Sequence, residues 1–155
     1  MASTYNKTTD YHAARARTAH PVHGILSAFP VALFPAALVA DIAYANSANM
    51  QWANFAVWLI AGGCAMGVIA ALVWIGDALL FRRHRPRRAG GGAGGIVHGL
   101  ATLLMLALGI VNGFIHSRDA WTSVVPTGLV LSVIVSILAL AAGWQGYTLM
   151  AREAR

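Results

Sequence analysis

Four long apolar stretches constrain this chain more than any other feature. They cover residues 24–45, 52–81, 95–115 and 124–150, and a helix needs roughly 20 such residues to cross about 30 Å of hydrocarbon. Backbone in lipid must satisfy its own hydrogen bonds, so each stretch is predicted to be helical. Only 10% of the residues are charged, against about 25% in soluble domains. We therefore predict an all-α integral membrane protein, an up-down-up-down four-helix bundle with short connections.

The positions of the basic residues predict the orientation of this bundle. Of the 11 Lys and Arg residues, all but Arg118 lie in the polar tail 1–23, in the loop after the second span or in the tail 151–155. The positive-inside rule places these three segments in the cytoplasm. A nucleic-acid-binding protein would instead spread its basic residues over a folded face. We expect contact with membrane lipid and no nucleic-acid partner.

Two spans carry a polar stripe along one helical face. Successive members are spaced four, three, four, three and four residues apart, which keeps them within about 40° of one line at roughly 100° per residue. The stripe of the third span consists of His98, Thr102, Met105, Gly109, Asn112 and His116, and that of the first span consists of His23, Ser27, Pro30, Phe34, Ala37 and Asp41. Both spans run outward, so His23 should lie level with His98 and Asp41 level with His116. The pattern predicts an inner His–His pair and an outer Asp–His pair.

The inner pair suggests a metal or cofactor. Two neutral imidazoles facing each other across a bundle can hold the iron of haem b, which makes His23 and His98 its candidate axial ligands. His20 is a competing ligand, although Pro21 favours a position outside the helix. A zinc or copper site using His20, His23 and His98 is a further alternative. The remaining interpretation is that these are interfacial histidines that bind loops or lipid headgroups.

The outer pair has two interpretations as well. Ionisable side chains inside a membrane are costly and indicate function by default, so Asp41, Asn112 and His116 would line a quinone or proton site. Alternatively, Asp41 and His116 form an ion pair that only fixes helix packing. The spacing of small residues in the second and fourth spans, among them Gly63, Gly67 and Ser132, predicts close helix packing without further chemistry.

Several short motifs resemble a known family. They are His20-Pro21-Val22-His23-Gly24-Ile25-Leu26, Phe29-Pro30, Asp41, Asp77, His98 and Gly143-Trp144-Gln145-Gly146. Together they are similar to the bacterial four-helix membrane family called domain of unknown function twenty-two thirty-one, over nearly the whole chain from His20. The resemblance implies that His20, His23, Asp41, Asp77 and His98 are the family's polar residues. Many relatives have a histidine where this chain has Ala28, which implies a different or reduced site here.

The resemblance also implies a function. Some relatives are joined to, or encoded near, Rieske-type or quinoprotein redox partners, which implies electron exchange with the quinone pool. We therefore expect a small subunit of a larger redox complex in the bacterial cytoplasmic membrane, binding haem b, quinone or both. The alternative is a cofactor-free structural subunit that packs against a respiratory or photosynthetic complex. A transporter is a third possibility, but no pair of broken helices is evident.

Overall fold

The computed structural model describes residues 21–80, 93–118 and 123–153. These residues form four α-helices: α1 (Pro21–Ser47), α2 (Met50–Leu80), α3 (Ala93–His116) and α4 (Thr127–Glu153). No strand occurs in the described ranges. The prediction of an all-α four-helix bundle is confirmed.

Each helix packs against its neighbours along the chain, and α1 also packs against α4. This arrangement places α1 diagonally across the bundle from α3. One end of the bundle holds the C-terminal parts of α1 and α3, and we call it the Asp41 end. The opposite end holds the N-terminal parts of α1 and α3, and we call it the His23 end.

All four helices are long and apolar enough to cross a membrane, with mean hydropathies between 2.0 and 2.2 in their most apolar windows. Large apolar side chains are exposed on every helix; examples are Ile25, Trp58, Leu103 and Ile137. In water such a surface would drive aggregation, whereas in a bilayer it contacts acyl chains. The chain is a membrane protein with four transmembrane helices.

The centre of the bundle is tightly packed. Its buried cluster draws on all four helices and consists of Phe34, Ala37, Ile60, Met105, Leu106, Val135 and Ala139. Gly67 permits this packing, because a Cβ there would lie 2.5 Å from a methyl group of Leu106 and 3.2 Å from Pro30. Small residues let transmembrane helices approach this closely. Pro30 and Pro35 both lie inside α1, which remains one continuous helix.

The observed helix limits differ from the predicted spans by at most three residues. The largest differences are at both ends of α4 and at the start of α1. Residues 123–126 form a turn before α4, since Pro126 lacks an N–H and restricts Val125 to non-helical backbone angles. His116, placed just beyond the third span by the sequence, is the last residue of α3.

Candidate functional site

The polar stripes of α1 and α3 both face the interior of the bundle. On α3, Asn112 and His116 are buried, and on α1 Asp41 has no exposed surface. His23 and His98 are partly buried. The two helices therefore present their polar residues to a shared interior, at depths that the spacing predicts.

The Asp41 end contains a closed set of hydrogen bonds that joins three helices. The Nε2 atom of His116 lies 2.9 Å from Oδ1 of Asp41, which brings together the expected outer pair. The Ser132 hydroxyl donates to Oδ2 of Asp41 at 2.5 Å, and the Asn112 amide donates to that hydroxyl oxygen at 2.8 Å. The Nδ1 atom of His116 lies 3.0 Å from the Asn112 carbonyl oxygen. We call Asp41, Asn112, His116 and Ser132 the Asp41 cluster.

The partners fix most of the hydrogen positions in this cluster. A backbone carbonyl only accepts, so Nδ1 of His116 carries a proton. One further proton lies between Nε2 of His116 and Asp41, and the pair is formally neutral whichever atom holds it. Neither side chain of the pair has exposed surface. A fully desolvated charge must be paired and hydrogen-bonded to be tolerated in a membrane, and these contacts meet that condition.

Gly128 makes room for the His116 ring. A Cβ at this position would lie 2.8 Å from Cε1 of His116 and 2.7 Å from the Ser123 carbonyl oxygen. Contacts that short cannot be relieved by a small side-chain shift, because one of the two atoms belongs to the backbone. The start of α4 therefore needs glycine there to hold the imidazole against Asp41.

A cleft of about 320 Å³ borders the Asp41 cluster at the end of the bundle. Its lining combines amides, a hydroxyl and a guanidinium with apolar side chains; the residues are Met50, Gln51, Ala53, Asn54, Val57, His116, Arg118 and Ser123. His116 belongs to both the cleft and the cluster. The cleft suits a small molecule with polar acceptor atoms and an apolar body.

At the His23 end, the histidines turn toward different neighbours. Nδ1 of His23 lies 3.0 Å from the Ala70 carbonyl oxygen on α2. His98 lies against α4, where a Cβ on Gly146 would be 3.3 Å from its Cε1 atom. The two rings therefore pack against different helices, His23 against α2 and His98 against α4.

Two buried polar atoms near this end have no hydrogen-bond partner among the described residues. They are Nδ1 of His98 and Oε1 of Gln145. The Ala142 carbonyl is close to the His98 ring but outside hydrogen-bond geometry. An unpaired buried polar atom costs free energy, and a bound ligand is one explanation for it. Packing is also looser here, since a Cβ on partly buried Gly24 or Gly76 would meet nothing within 4 Å.

Other predicted residues contribute less. His20 lies outside the described residues, as does the arginine-rich loop, and Asp77 lies in α2. Within the described ranges, no three His, Cys, Asp or Glu side chains come together to hold a metal ion. Ala28 is on an exposed face of α1, so a side chain at that position stands outside the inward stripe.

Two residues of these sites were not predicted from the sequence. Ser132 was interpreted only as part of a packing seam, yet it hydrogen-bonds Asp41. Its depth was the available signal, because it lies near the start of α4 and Asp41 lies near the end of the antiparallel α1. Gln145 appeared only within a family motif, and its buried amide oxygen now marks the His23 end.

Comparison with known proteins agrees with the membrane architecture. The family model described as "Predicted membrane protein (DUF2231)" matches residues 19–154. Neither the comparison with curated proteins nor that with solved structures found a match.

Proposed function

The chain belongs to the DUF2231 family of membrane proteins, and from that premise we propose that it is a small electron-transfer subunit of a redox complex in the bacterial cytoplasmic membrane. Haem b is held at the His23 end by His23 and His98. A quinone headgroup binds in the cleft at the Asp41 end. The hydrogen bond between Nδ1 of His23 and the Ala70 carbonyl is the observation that carries the proposal.

The hydrogen bond between His23 and Ala70 determines which ring nitrogen is free. The Ala70 carbonyl only accepts, so Nδ1 of His23 is its donor. A neutral imidazole that donates through Nδ1 keeps a lone pair on Nε2. Histidines that bind metals usually donate their other N–H to a carbonyl or carboxylate in this way. With Nδ1 bonded to Ala70, Nε2 is the His23 atom that would bind the haem iron.

His98 supplies the second imidazole from the diagonal helix. Its buried Nδ1 and the buried Oε1 of Gln145 lack partners among the described residues, so both atoms have hydrogen-bonding capacity for a bound group. Gly146 lets the His98 ring lie directly against α4, since a Cβ there would be 3.3 Å from Cε1 of the ring. The residues present thus fit a haem held by two histidines, with the iron supplying reversible one-electron transfer when bound.

The cleft at the Asp41 end fits the second part of the proposal. A quinone headgroup has carbonyl oxygens that accept hydrogen bonds, and Gln51, Asn54 and Arg118 are donors in the cleft wall. Met50 and Val57 provide apolar contact for the ring. His116 connects this wall to Asp41, so the Asp41–His116 pair would lie beside a headgroup bound in the cleft and could exchange a proton with it.

An absorption spectrum of the purified protein tests the haem directly. We expect a reducible b-type haem signal that is lost in both His23→Ala and His98→Ala. Ser27→Ala is the matched control, since Ser27 lies one turn from His23 and bonds only the Gly24 carbonyl of its own helix. A wild-type protein that stays colourless after haem is added would overturn this proposal and support the cofactor-free structural subunit.

Quinone binding is tested separately. In a variant that keeps Trp52 as its only tryptophan, a short-tailed ubiquinone should quench the fluorescence, because Trp52 lies beside Gln51 and Ala53 of the cleft. Arg118→Gln removes a charged hydrogen-bond donor. Such a bond contributes about 1.5 kcal/mol or more to the binding free energy, so we expect roughly tenfold weaker binding. Unchanged affinity in this variant would exclude the cleft as the site.

The orientation is part of the proposal, with both termini in the cytoplasm. In a Cys64→Ala background, a membrane-impermeant maleimide added to intact spheroplasts should label Ser47→Cys at the Asp41 end. It should label Ser3→Cys only after the membrane is opened. The reverse pattern would place the cleft on the cytoplasmic side.

A further inference from the structure

Of the two polar atoms of the Asn112 side-chain amide, one has a hydrogen-bond partner among the described residues and the other has none. Its Nδ2 donates to Ser132 at 2.8 Å, while its Oδ1 is buried with no partner among the described residues. A half-turn of the amide would exchange these atoms and present Oδ1 to Ser132. The serine hydroxyl can then donate to Asn112 instead of to Asp41, because a hydroxyl both donates and accepts.

We propose that the Asp41 cluster is a proton-binding site with two hydrogen-bond arrangements, between which the Asn112 amide switches. In the first arrangement, Asn112 donates to Ser132 and Ser132 donates to the Asp41 carboxylate. In the second, protonated Asp41 donates to Ser132 and Ser132 donates to Oδ1 of Asn112. His116 keeps its bonds to Asp41 and to the Asn112 carbonyl in both.

The two arrangements balance in hydrogen bonds and differ by one proton. Each contains four bonds, over the same atom pairs except that Asn112 Oδ1 replaces Nδ2. The switch exchanges one unpaired amide atom for the other. In the first arrangement the cluster is formally neutral, with Asp41 and His116 sharing one proton between them. In the second it carries one added proton, which forms the O–H bond of Asp41, and its formal charge is +1.

Among the described residues at this end, Asp41 is the group left to take this proton. His116 on α3 already holds protons at both nitrogens in the second arrangement. Tyr44 on α1 is buried nearby, and its hydroxyl faces the Met50 sulfur at 3.6 Å. Arg118 lies in the cleft wall beyond His116. The described parts of α2 and α4 bring no titratable side chain to this end.

The switch adds a proton-binding step to the function proposed for the Asp41 end. It rests on that proposed function only for the source of the proton. A quinol that gives up its electrons also releases protons, and the cluster would accept one of them through the cleft that His116 borders. The proton site itself requires neither haem nor quinone. Its test can therefore be made on the protein alone.

Magnetic resonance of the full chain in lipid nanodiscs provides that test. Carbon-13 in the Asp41 carboxyl reports its protonation, and nitrogen-15 in the Asn112 amide reports the partner of Nδ2. As the pH is lowered, both signals should shift with one common midpoint. Asp41→Asn should abolish the shift of the Asn112 signal. An Asp41 signal that titrates while the wild-type Asn112 signal stays constant would overturn the switch, as would an Asp41 signal that never titrates while the protein stays folded.

Two buried serines on α4 give a matched comparison. Ser132→Ala removes the link between the carboxyl and the amide, so the Asn112 signal should no longer follow Asp41. Ser136→Ala removes a hydroxyl one turn away that bonds the Phe34 carbonyl at 3.1 Å, and both signals should still shift together. Coupling that survives Ser132→Ala would contradict the proposal. Loss of haem or quinone binding would leave this result unaffected, so the two failures are distinguishable.

Discussion

The same two serines give the sharpest prediction about stability. Both are buried on α4 and both donate to α1, so they share helix, depth of burial and change of volume on replacement by alanine. They differ in the acceptor. Ser132 donates to the Asp41 carboxylate at 2.5 Å, and Ser136 donates to a neutral backbone carbonyl at 3.1 Å.

The acceptors determine the expected losses. Hydrogen bonds between transmembrane helices average about 0.6 kcal/mol, and we expect roughly this loss of unfolding free energy for Ser136→Ala. Hydrogen bonds to charged groups contribute about 1.5–3 kcal/mol. We expect a loss in that range for Ser132→Ala, which also leaves Nδ2 of Asn112 without its acceptor. The two variants should therefore differ by about 1 kcal/mol or more.

Equilibrium unfolding in mixed micelles, followed by far-ultraviolet circular dichroism, measures both losses under identical conditions. Because the variants remove the same atoms from the same helix, effects on the denatured state largely cancel. Equal losses, or a larger loss for Ser136→Ala, would refute the argument that Asp41 is charged and depends on Ser132.

Three further predictions concern the stability of this cluster and the lipid contact of the bundle. Asp41→Asn should lower the unfolding free energy by about 3–5 kcal/mol, because it leaves His116 without its carboxylate. The double variant Asp41→Asn/His116→Gln should lose less than the sum of the two single variants in the same assay. Additive losses would contradict a coupled pair. Gly128→Ala should lower the unfolding free energy by about 1–3 kcal/mol through overpacking. Gly24→Ala should leave it unchanged, because a Cβ there meets nothing within 4 Å. Equal losses would show that the His116 ring does not need the space at Gly128. Trp58, which is 72% exposed, should be strongly quenched by brominated lipid in a single-tryptophan variant, and the absence of quenching would mean that another protein surface covers it.

Much of the fold could be predicted from the sequence, because length and apolarity alone determine a membrane-spanning helix. The depth of a residue along its helix was predictable for the same reason. Asp41 and His116 are 75 residues apart, and equal counts from His23 and His98 placed them at one level. They are in contact because each lies the same number of residues after the histidine near the start of its helix, and the two helices face each other across the bundle.

Lateral contacts could not be predicted in this way. The sequence suggested that His23 and His98 face each other, but their rings lie against Ala70 on α2 and Gly146 on α4. Which neighbour a partly buried ring meets depends on the rotation of each helix and on side-chain volumes across the interface. Ser132 was overlooked for a related reason, since small residues suit close packing whether or not their hydroxyl has a partner.

The two ends of the bundle differ in their unpaired buried polar atoms. Hydrocarbon offers no water to satisfy a buried donor or acceptor, so such atoms are costlier in a membrane than near a protein surface. Among the described residues there are three: Oδ1 of Asn112, Nδ1 of His98 and Oε1 of Gln145. The first belongs to an otherwise complete hydrogen-bonded cluster, where the proposed switch would exchange it for Nδ2 of the same amide. The other two lie at the loosely packed His23 end, where a bound group that uses both histidines would give these two atoms new surroundings.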